Sequence, residues 1–390
     1  MSFQMYVPTR ILFGQGQLDN LRNQQMPGKK ALIVISDGKS SKTNGSLSKT
    51  QEQLKQAGVE WTVFDRIMAN PLKSTVMDGA ACARENNCDF IVALGGGSVM
   101  DASKAIAAMA TNDGDLWDYI FGGTGKGKPL TNEPLPIIAI TTTAGTGSEV
   151  DQYGVISNKE THEKIGFGGS DSLFPKIAIV DPELMKTVPP KFTALQGFDA
   201  LFHSVECYIS TAANLMSDMY ALTAIENIGR YLARAVKDGS DREAREHVAF
   251  ANTLSGVVMT ISVCTSEHSL EHAMSAYHQD LPHGAGLIMI SKAYFTHFIE
   301  TRACDERFVR MAQVLGVEDA AEPLDFITAL VKLQEECGVA DLKMSDYGIR
   351  PDEFMTMAQN ARATMGGLFT VDRVPLSDED CAAIFEKSYR

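Results

Sequence analysis

The sequence has 390 residues, of which 44% are hydrophobic and 22% are charged, and its formal net charge at pH 7 is −14. This length predicts two domains of roughly 150–200 residues, and the excess of acidic residues argues against nucleic acid as a partner. The sequence contains no apolar run of ~18 residues and no leader-like first segment, so no membrane span is expected. Seven scattered cysteines without a CxxC pair favour reduced thiols and a cytoplasmic location.

The first half of the chain contains short β-rich runs that end in turn residues. These runs are Ala31–Ser36, Trp61–Phe64, Phe90–Leu94, Ile137–Thr141 and Ile177–Val180. Helical stretches such as Ser74–Asn86 lie between several of them. An alternation of strands and helices predicts an α/β domain with a doubly wound, mostly parallel sheet of the Rossmann-like kind.

Asp37 directly follows the first of these runs. A carboxylate at this place accepts hydrogen bonds from an adenosine ribose and repels a 2′-phosphate, which favours NAD over NADP. Lys39 and Lys42 are able to bind such a phosphate, so NADP stays open as the alternative. An ordinary turn aspartate fits the local sequence about equally well.

A glycine-rich loop, Gly95–Ser98, connects the run Phe90–Leu94 to the helical stretch Ala102–Met109. A strand, a glycine turn and a helix in this order direct backbone N–H groups and a helix N-terminus at a phosphate. The loop matches neither GxGxxG nor the P-loop pattern, so the prediction depends on this context, and a plain tight turn is the alternative.

A second loop, Thr141–Glu149, follows the strand Ile137–Ile140 and is rich in threonine and glycine. Hydroxyl groups and small residues at the carboxyl end of a strand suit contacts with a pyrophosphate or a nicotinamide ribose. A threonine-rich turn that caps its own backbone is the alternative.

Proline marks the boundary between the two expected domains. Ten of the fourteen prolines lie at or before Pro190, and none lies in residues 191–281. Because proline interrupts helices, and because apolar residues recur there at helical spacing, the later region is predicted to be helical. We place the boundary near residue 187, which gives an α/β domain over 1–187 and an all-α domain over 188–390.

Four of the eight histidines lie within residues 268–283. His268 and His272 are four residues apart, as are Asp199 and His203, so each pair lies on one face of a helix. Either pair alone is usually not a metal site, but both pairs together with His283 predict a metal cage inside a helical bundle. Imidazole with one carboxylate suits Fe²⁺ or Zn²⁺. No HExxH motif is present, which argues against a zincin protease.

The ordered set of motifs resembles the iron-containing (group III) alcohol dehydrogenase family over nearly the whole chain. The matching segments are Phe13–Gly16, Asn70-Pro71, GGGS with Asp101, TTTAGTGSE, Asp181–Leu184, GFDALFHSVECY and the histidine cluster. The resemblance implies the two-domain architecture shared with dehydroquinate synthase.

The resemblance also implies roles for individual residues. It implies metal ligands at Asp199, His203, His268 and His283, and a proton carrier beside the nicotinamide at His272. It implies cofactor contacts at Asp37, Asn70, Gly96, Gly97, Ser98, Asp101, Thr141, Thr142, Thr146 and Lys164. The interval from His268 to His283 is one residue longer than the family pattern, so an exchange of the roles of His268 and His272 stays open. Val371-Asp372-Arg373 replaces the Asn-Pro-Arg of many members, so substrate contacts there are expected to differ.

The activity implied by the resemblance is hydride transfer between NAD(H) and a small primary alcohol or aldehyde. A divalent metal, Fe²⁺ or alternatively Zn²⁺, polarises the substrate oxygen in such a reaction. The resemblance further implies a homodimer.

Two other functions are compatible with the same architecture. A lyase or polyol(-phosphate) dehydrogenase of the dehydroquinate synthase or glycerol dehydrogenase type needs lysine or arginine for its substrate. Residues 199–207 and 267–283 contain neither residue type. A non-catalytic NAD- or metal-binding sensor is the second alternative, and the joint presence of all predicted ligands and of the cofactor loop argues against it.

Overall fold

The computed structural model describes residues 2–390, which form two compact units. The α/β unit comprises residues 7–161 and 165–187, and the helical unit comprises residues 2–6, 162–164 and 188–390. The main change of unit therefore falls between Thr187 and Val188, and two short segments from the first half of the chain belong to the helical unit.

Within residues 2–390 the α/β unit contains a six-stranded sheet with the order β1-β8-β5-β4-β2-β3, and all neighbouring strands are parallel. The strands are β1 (Arg10–Phe13), β2 (Lys30–Ser36), β3 (Glu60–Ile67), β4 (Phe90–Gly95), β5 (Ile137–Thr141), β6 (Tyr153–Asn158), β7 (Glu163–Gly168) and β8 (Ile177–Val180). Strands β6 and β7 form a separate two-stranded sheet. The predicted mostly parallel sheet is confirmed.

Alternate side chains of the central strand β4 enter different hydrophobic clusters. Ile91 and Ala93 belong to one cluster, whereas Phe90, Val92 and Leu94 belong to the other. Since successive side chains of a strand point to opposite faces, both faces of the sheet are covered, as a doubly wound sheet requires. The helices of this unit are α1 (Ser40–Thr43), α2 (Ser46–Gln56), α3 (Lys73–Glu85) and α4 (Gly97–Met109).

The helical unit is built around two helices that are buried on nearly every side. Its helices are α5 (Pro190–Ile209), α6 (Leu215–Lys237), α7 (Arg242–Ile261), α8 (Ser266–Tyr277), α9 (His283–Glu300), α10 (Asp305–Val314), α11 (Asp325–Glu336), α12 (Phe354–Phe369) and α13 (Asp378–Ser388). Helix α5 packs against α6, α7 and α9, and α8 packs against α9 and α12. Every residue of α8 from Ser266 to Ala276 is buried, including its charged ones. A helix that is buried all round is a core helix, so the polar residues of α5 and α8 lie inside the unit.

The seven cysteines are all free thiols, and the sulfur atoms of Cys207 and Cys264 lie 3.7 Å apart. Over the described range, 2–390, no single helix is long and apolar enough to cross a membrane. Helices α7 and α8 meet that test only as a pair that is bent by 107°.

Candidate metal centre and cofactor loops

The four predicted metal ligands meet in the helical unit. Asp199 and His203 lie on α5, His268 lies on α8, and His283 is the first residue of α9. The Oδ1 atom of Asp199 lies 3.5 Å from Nδ1 of His203, 3.5 Å from Nε2 of His268 and 3.4 Å from Nε2 of His283. One carboxylate oxygen therefore faces three imidazole rings from three different helices.

The same atoms leave hydrogen-bonding capacity unused inside the protein. Asp199 and His268 are each 4% exposed, and neither Oδ1 of Asp199 nor Nε2 of His268 has a hydrogen-bond partner among the described residues. Buried polar atoms without partners are costly, so they indicate a missing ligand. Ligand atoms of Asp199, His268 and His283 lie within 4.8 Å of one another. These residues fit Fe²⁺ or Zn²⁺, which bind imidazole with carboxylate.

The charges around this cluster are arranged to favour a cation. Burial opposes the ionisation of Asp199, but His203 and His283 outweigh it and hold the pKa of Asp199 well below its usual range. Burial lowers the pKa of His268, but Glu206 and Asp199 outweigh it and raise that pKa well above its usual range. The carboxylates of Glu206 and Asp199 therefore favour a positive charge at this place.

His272 lies one helical turn beyond His268, and its pKa is shifted in the opposite direction. Burial, followed by the charges of Lys164 and His283, holds the pKa of His272 well below its usual range. Its Nδ1 atom lies 2.7 Å from Sδ of Met365. The structure thus brings the ring of His268 towards Asp199 and keeps His272 as a neutral imidazole.

Two glutamates that the sequence motifs did not single out contact the predicted ligands. The fully buried Glu206 accepts a hydrogen bond from Nδ1 of His268, and the fully buried Glu271 accepts one from Nδ1 of His283. The available sequence signal is helical spacing, because Glu206 is seven residues from Asp199 on α5 and Glu271 is three residues from His268 on α8.

Lys164 groups with the metal centre in this structure. Its ammonium nitrogen lies 3.2 Å from Oε2 of Glu271, 3.1 Å from Oγ of Ser275 and 3.4 Å from Nδ1 of His283. The residue is 4% exposed and belongs to the segment 162–164 of the helical unit. Lys164 thus forms an ion pair with Glu271, and its contact with the cofactor stays a prediction.

The segment Val371–Arg373 connects the ends of two ligand-bearing helices. Oδ1 of Asp372 accepts a hydrogen bond of 3.1 Å from the backbone N–H of Ser266, at the start of α8. Arg373 donates to the carbonyl oxygens of Ile209 and Ser210, at the end of α5, over 2.7 and 3.1 Å. The segment that departs from the family pattern therefore forms hydrogen bonds with the start of α8 and the end of α5.

In the α/β unit, the two predicted cofactor loops lie directly against each other. A Cβ atom on Gly97 would stand 2.3 Å from Cγ2 of Thr146, and one on Gly96 would stand 2.7 Å from Oγ1 of Thr143. The N–H group of Thr142 donates to the carbonyl oxygen of Gly95 over 2.9 Å. The glycines are therefore required by the approach of the second loop, a reason that the sequence pattern did not indicate.

Helix α4 begins at Gly97, so the first N–H groups of this helix, including those of Gly97 and Ser98, have no acceptor within it. Such a terminus suits an anionic phosphate. Thr141 is buried at the end of β5, and its hydroxyl group donates to the carbonyl oxygen of Thr143 over 2.9 Å.

Asp101 lies on α4, and its carboxylate connects this helix to the second loop and to β6. It accepts hydrogen bonds from Oγ of Ser148 over 2.8 Å and from the backbone N–H of Val155 over 2.9 Å. Lys104, which is fully buried, forms an ion pair of 2.7 Å with Asp151 and donates to Ser148. Burial raises the pKa of Asp101 to about 6 against the opposing charge of Lys104. The predicted cofactor residue Asp101 is thus engaged with protein groups.

The two remaining predicted cofactor residues follow neighbouring strands. Asp37 is exposed at the end of β2, and its N–H group donates to the carbonyl oxygen of Ile67 in β3 over 2.9 Å. Asn70 is buried and adopts a left-handed backbone with φ of 53°, which asparagine tolerates better than most residues. Both therefore lie near the carboxyl ends of the parallel strands.

Comparison with known proteins places the chain in one family. Residues 8–182 match the family described as iron-containing alcohol dehydrogenase, and residues 193–389 match the C-terminal region of the Fe-containing alcohol dehydrogenase family. The chain is 36% identical to 1,3-propanediol dehydrogenase of Klebsiella pneumoniae, with 100% of both chains covered. It is 31% identical to NADH-dependent butanol dehydrogenase A of Clostridium acetobutylicum, again over 100% of both chains. A solved structure of an archaeal alcohol dehydrogenase from a Red Sea brine pool matches with a TM-score of 0.94 and 36% identity, over 100% of this chain and 99% of that one.

The chain belongs to the iron-containing alcohol dehydrogenase family. It is accordingly an alcohol oxidoreductase that uses a nicotinamide cofactor, and the lyase alternative is not favoured.

Proposed function

We propose that this protein interconverts small primary alcohols and aldehydes at one Fe²⁺ ion held by Asp199, His203, His268 and His283, with NAD(H) as the cofactor. The observation that carries the proposal is the convergence of three imidazole rings on the Oδ1 atom of Asp199, which has no hydrogen-bond partner in the described part of the chain. Zn²⁺ is the alternative metal, because the same ligand types accept it. The relatives named for 1,3-propanediol and butanol support a short primary alcohol as the substrate.

The chain's own residues supply binding, orientation and proton transfer. A divalent cation in this ligand set polarises an alcohol or aldehyde oxygen, and a nicotinamide carries the hydride. Asp199 and the three histidines hold the ion inside the helical unit, where burial strengthens electrostatic interactions. Burial holds the pKa of His272 well below its usual range, which favours the neutral imidazole; in that form His272 would accept a proton from the substrate hydroxyl during oxidation and return one during reduction.

The α/β unit is proposed to hold the cofactor. Its pyrophosphate would lie against the N-terminus of α4 at Gly96, Gly97 and Ser98, with Thr141, Thr142 and Thr146 beside it. The exposed carboxylate of Asp37 at the end of β2 supports a preference for NAD over NADP. A homodimeric state is part of the proposal and is supported by the family resemblance alone. A cytoplasmic location is also part of it and is supported by the seven free cysteines.

An anaerobic activity screen tests the proposal. The purified protein would be assayed with short alcohols and aldehydes, in turn with NAD(H) and NADP(H), and the metal content of the same sample would be measured. We expect NAD(H)-linked turnover of a short primary alcohol and one iron per chain. Turnover by a verified metal-free sample would contradict the proposed metal. A higher kcat/KM with NADPH than with NADH would contradict the proposed preference for NAD(H).

A further inference from the structure

Two histidines of the proposed metal centre are each held between two carboxylates. Glu206 contacts Nδ1 of His268 while Nε2 of the same ring faces Asp199 at 3.5 Å. Glu271 contacts Nδ1 of His283 while Nε2 of that ring faces Asp199 at 3.4 Å. The two rings belong to different helices, yet they have the same arrangement of one outer glutamate and one shared inner aspartate.

This arrangement matters because the two nitrogens of an imidazole are not equivalent. When Nδ1–H donates to a carboxylate, the ring is fixed in one tautomer and the lone pair on Nε2 is directed away from that carboxylate. Outer carboxylates of this kind orient histidine ligands and strengthen metal binding.

We propose that Glu206 and Glu271 are positioning residues of the metal centre, each of which fixes one histidine with its Nε2 atom directed at the ion. The inference rests on the proposed function, because it presumes that Asp199, His268 and His283 bind a metal. Neither glutamate binds the metal itself.

Each glutamate is also fixed on the side away from its histidine. Oε2 of Glu206 lies 3.3 Å from Oγ1 of Thr265, which is able to donate to it. Glu271 accepts a hydrogen bond from Ser275 and pairs with Lys164 at 3.2 Å. A carboxylate with several fixed partners holds its orientation, so the histidine that it contacts is fixed as well.

The first turn of α9 leaves room for Glu271. A Cβ atom on Gly286 would stand 2.6 Å from Cγ of Glu271, so a larger residue there would displace the glutamate. Ligand atoms of Glu271, His272 and His283 also lie within 4.8 Å of one another, which is close enough to hold a metal ion. The ammonium group of Lys164 already compensates the charge of Glu271, so we assign Glu271 to orientation and expect one metal ion per chain.

The same helix offers a matched control. Glu267 lies next to His268 on α8 and is fully buried, as Glu206 and Glu271 are. Neither carboxylate oxygen of Glu267 has a hydrogen-bond partner in residues 2–390. The substitution Glu267→Gln therefore alters a buried glutamate beside His268 without touching a hydrogen bond to any proposed ligand.

The test compares Glu206→Gln, Glu271→Gln and Glu267→Gln with the unmodified full-length protein. Each protein would be loaded with Zn²⁺ for chelator competition and with Co²⁺ for visible absorption, and NAD binding and thermal midpoint would be recorded beside them. We expect metal affinity to fall roughly 10–100-fold in the first two variants, with an altered Co²⁺ spectrum. The Glu267→Gln variant should match the parent, and all three should bind NAD normally.

A graded pair of substitutions separates orientation from folding. Glutamine keeps an oxygen that accepts from Nδ1–H, whereas alanine removes the acceptor, so Glu271→Ala should lose more metal affinity than Glu271→Gln. Equal metal affinity in the parent and in both the Glu206 and Glu271 variants would overturn the inference, as would an equal loss in Glu267→Gln. A parent protein that binds no metal would instead overturn the proposed function.

Discussion

Both compact units bury charged side chains, and the two sets differ in whether the protein itself satisfies them. In the α/β unit, Lys104 pairs with Asp151 at 2.7 Å, and Asp101 accepts hydrogen bonds from Ser148 and Val155. In the helical unit, Oδ1 of Asp199 faces three imidazole rings and has no hydrogen-bond partner among the residues described.

This difference distinguishes buried polar groups that stabilise the fold from buried polar groups that bind a ligand. A buried ion pair with complete hydrogen bonding holds loops together and needs nothing further. A buried carboxylate and imidazole that converge without satisfying each other indicate a site for a third group. By this criterion the polar groups around Asp101 are satisfied by the protein itself, whereas those around Asp199 support the proposed metal site.

Removing the metal should have the largest effect. Chelation is expected to abolish turnover and to leave NAD binding largely intact, because the metal ligands belong to the helical unit and the cofactor loops to the α/β unit. Metal stoichiometry, kcat and NAD affinity would be measured on one sample. A parallel loss of NAD binding would show that the two units do not act separately.

The next largest effect separates His268 from His272. His268→Ala removes a proposed ligand, so metal content and kcat should fall together. His272→Ala should retain its metal and lose roughly 10²–10⁴-fold in kcat, with an altered pH profile, as expected for an acid–base group. Metal stoichiometry measured beside kcat distinguishes the two.

The opposite result would exchange their roles. If His272→Ala lost the metal and His268→Ala kept it, His272 would be the ligand. If His272→Ala changed only KM for the cofactor, His272 would be a packing residue and the proposed proton transfer would be wrong.

The satisfied cluster in the α/β unit predicts a pH dependence of stability. Burial raises the pKa of Asp101 from 3.8 to about 6, so the folded state binds a proton more tightly than the unfolded state does. The free energy of unfolding should therefore fall by up to about 3 kcal/mol as pH rises from about 4 to about 6. Urea unfolding across this range should show that Asp101→Asn removes this part of the dependence. An identical pH dependence in both proteins would refute it.

A smaller effect is expected from Gly97→Ala. The new Cβ atom would stand 2.3 Å from Cγ2 of Thr146, so the two cofactor loops must separate. Forced packing of this kind costs about 1–3 kcal/mol, and a cost of this size in the NAD-bound state would weaken NAD binding roughly 5-fold to 150-fold. Metal content should not change. Gly367→Ala, where a Cβ atom meets nothing within 4 Å, is the control.

The smallest effect concerns cofactor preference. Asp37 is exposed, so its repulsion of a 2′-phosphate is screened by solvent. Asp37→Gly should narrow the preference for NAD(H) over NADP(H) by only roughly a few-fold in kcat/KM. An unchanged ratio of kcat/KM for NAD(H) to kcat/KM for NADP(H) would mean that Asp37 does not contribute to the cofactor preference.

The parallel sheet could be predicted because buried parallel strands form continuous apolar runs such as Phe90–Leu94. Strands β6 and β7 could not be predicted in this way, because each of them mixes glycine and polar residues with apolar ones. The cluster of candidate metal ligands follows from residue type and helical spacing, whereas the choice of His268 over His272 as a ligand follows from the family resemblance. The contacts of Glu206 and Glu271 with histidines could not be predicted from the sequence. Many helices carry glutamates, and only the packing of the helices shows which glutamates contact a histidine.

The sequence by itself determined the types of the main elements, the family and the set of candidate ligands, since these depend on local periodicity, residue chemistry and ordered motifs. Only the tertiary structure decided that Lys164 pairs with Glu271, that Gly97 faces Thr146, and that Nε2 of two rings faces Asp199. Each of these features is a contact between residues far apart in the chain, and its geometry depends on how whole helices and loops pack.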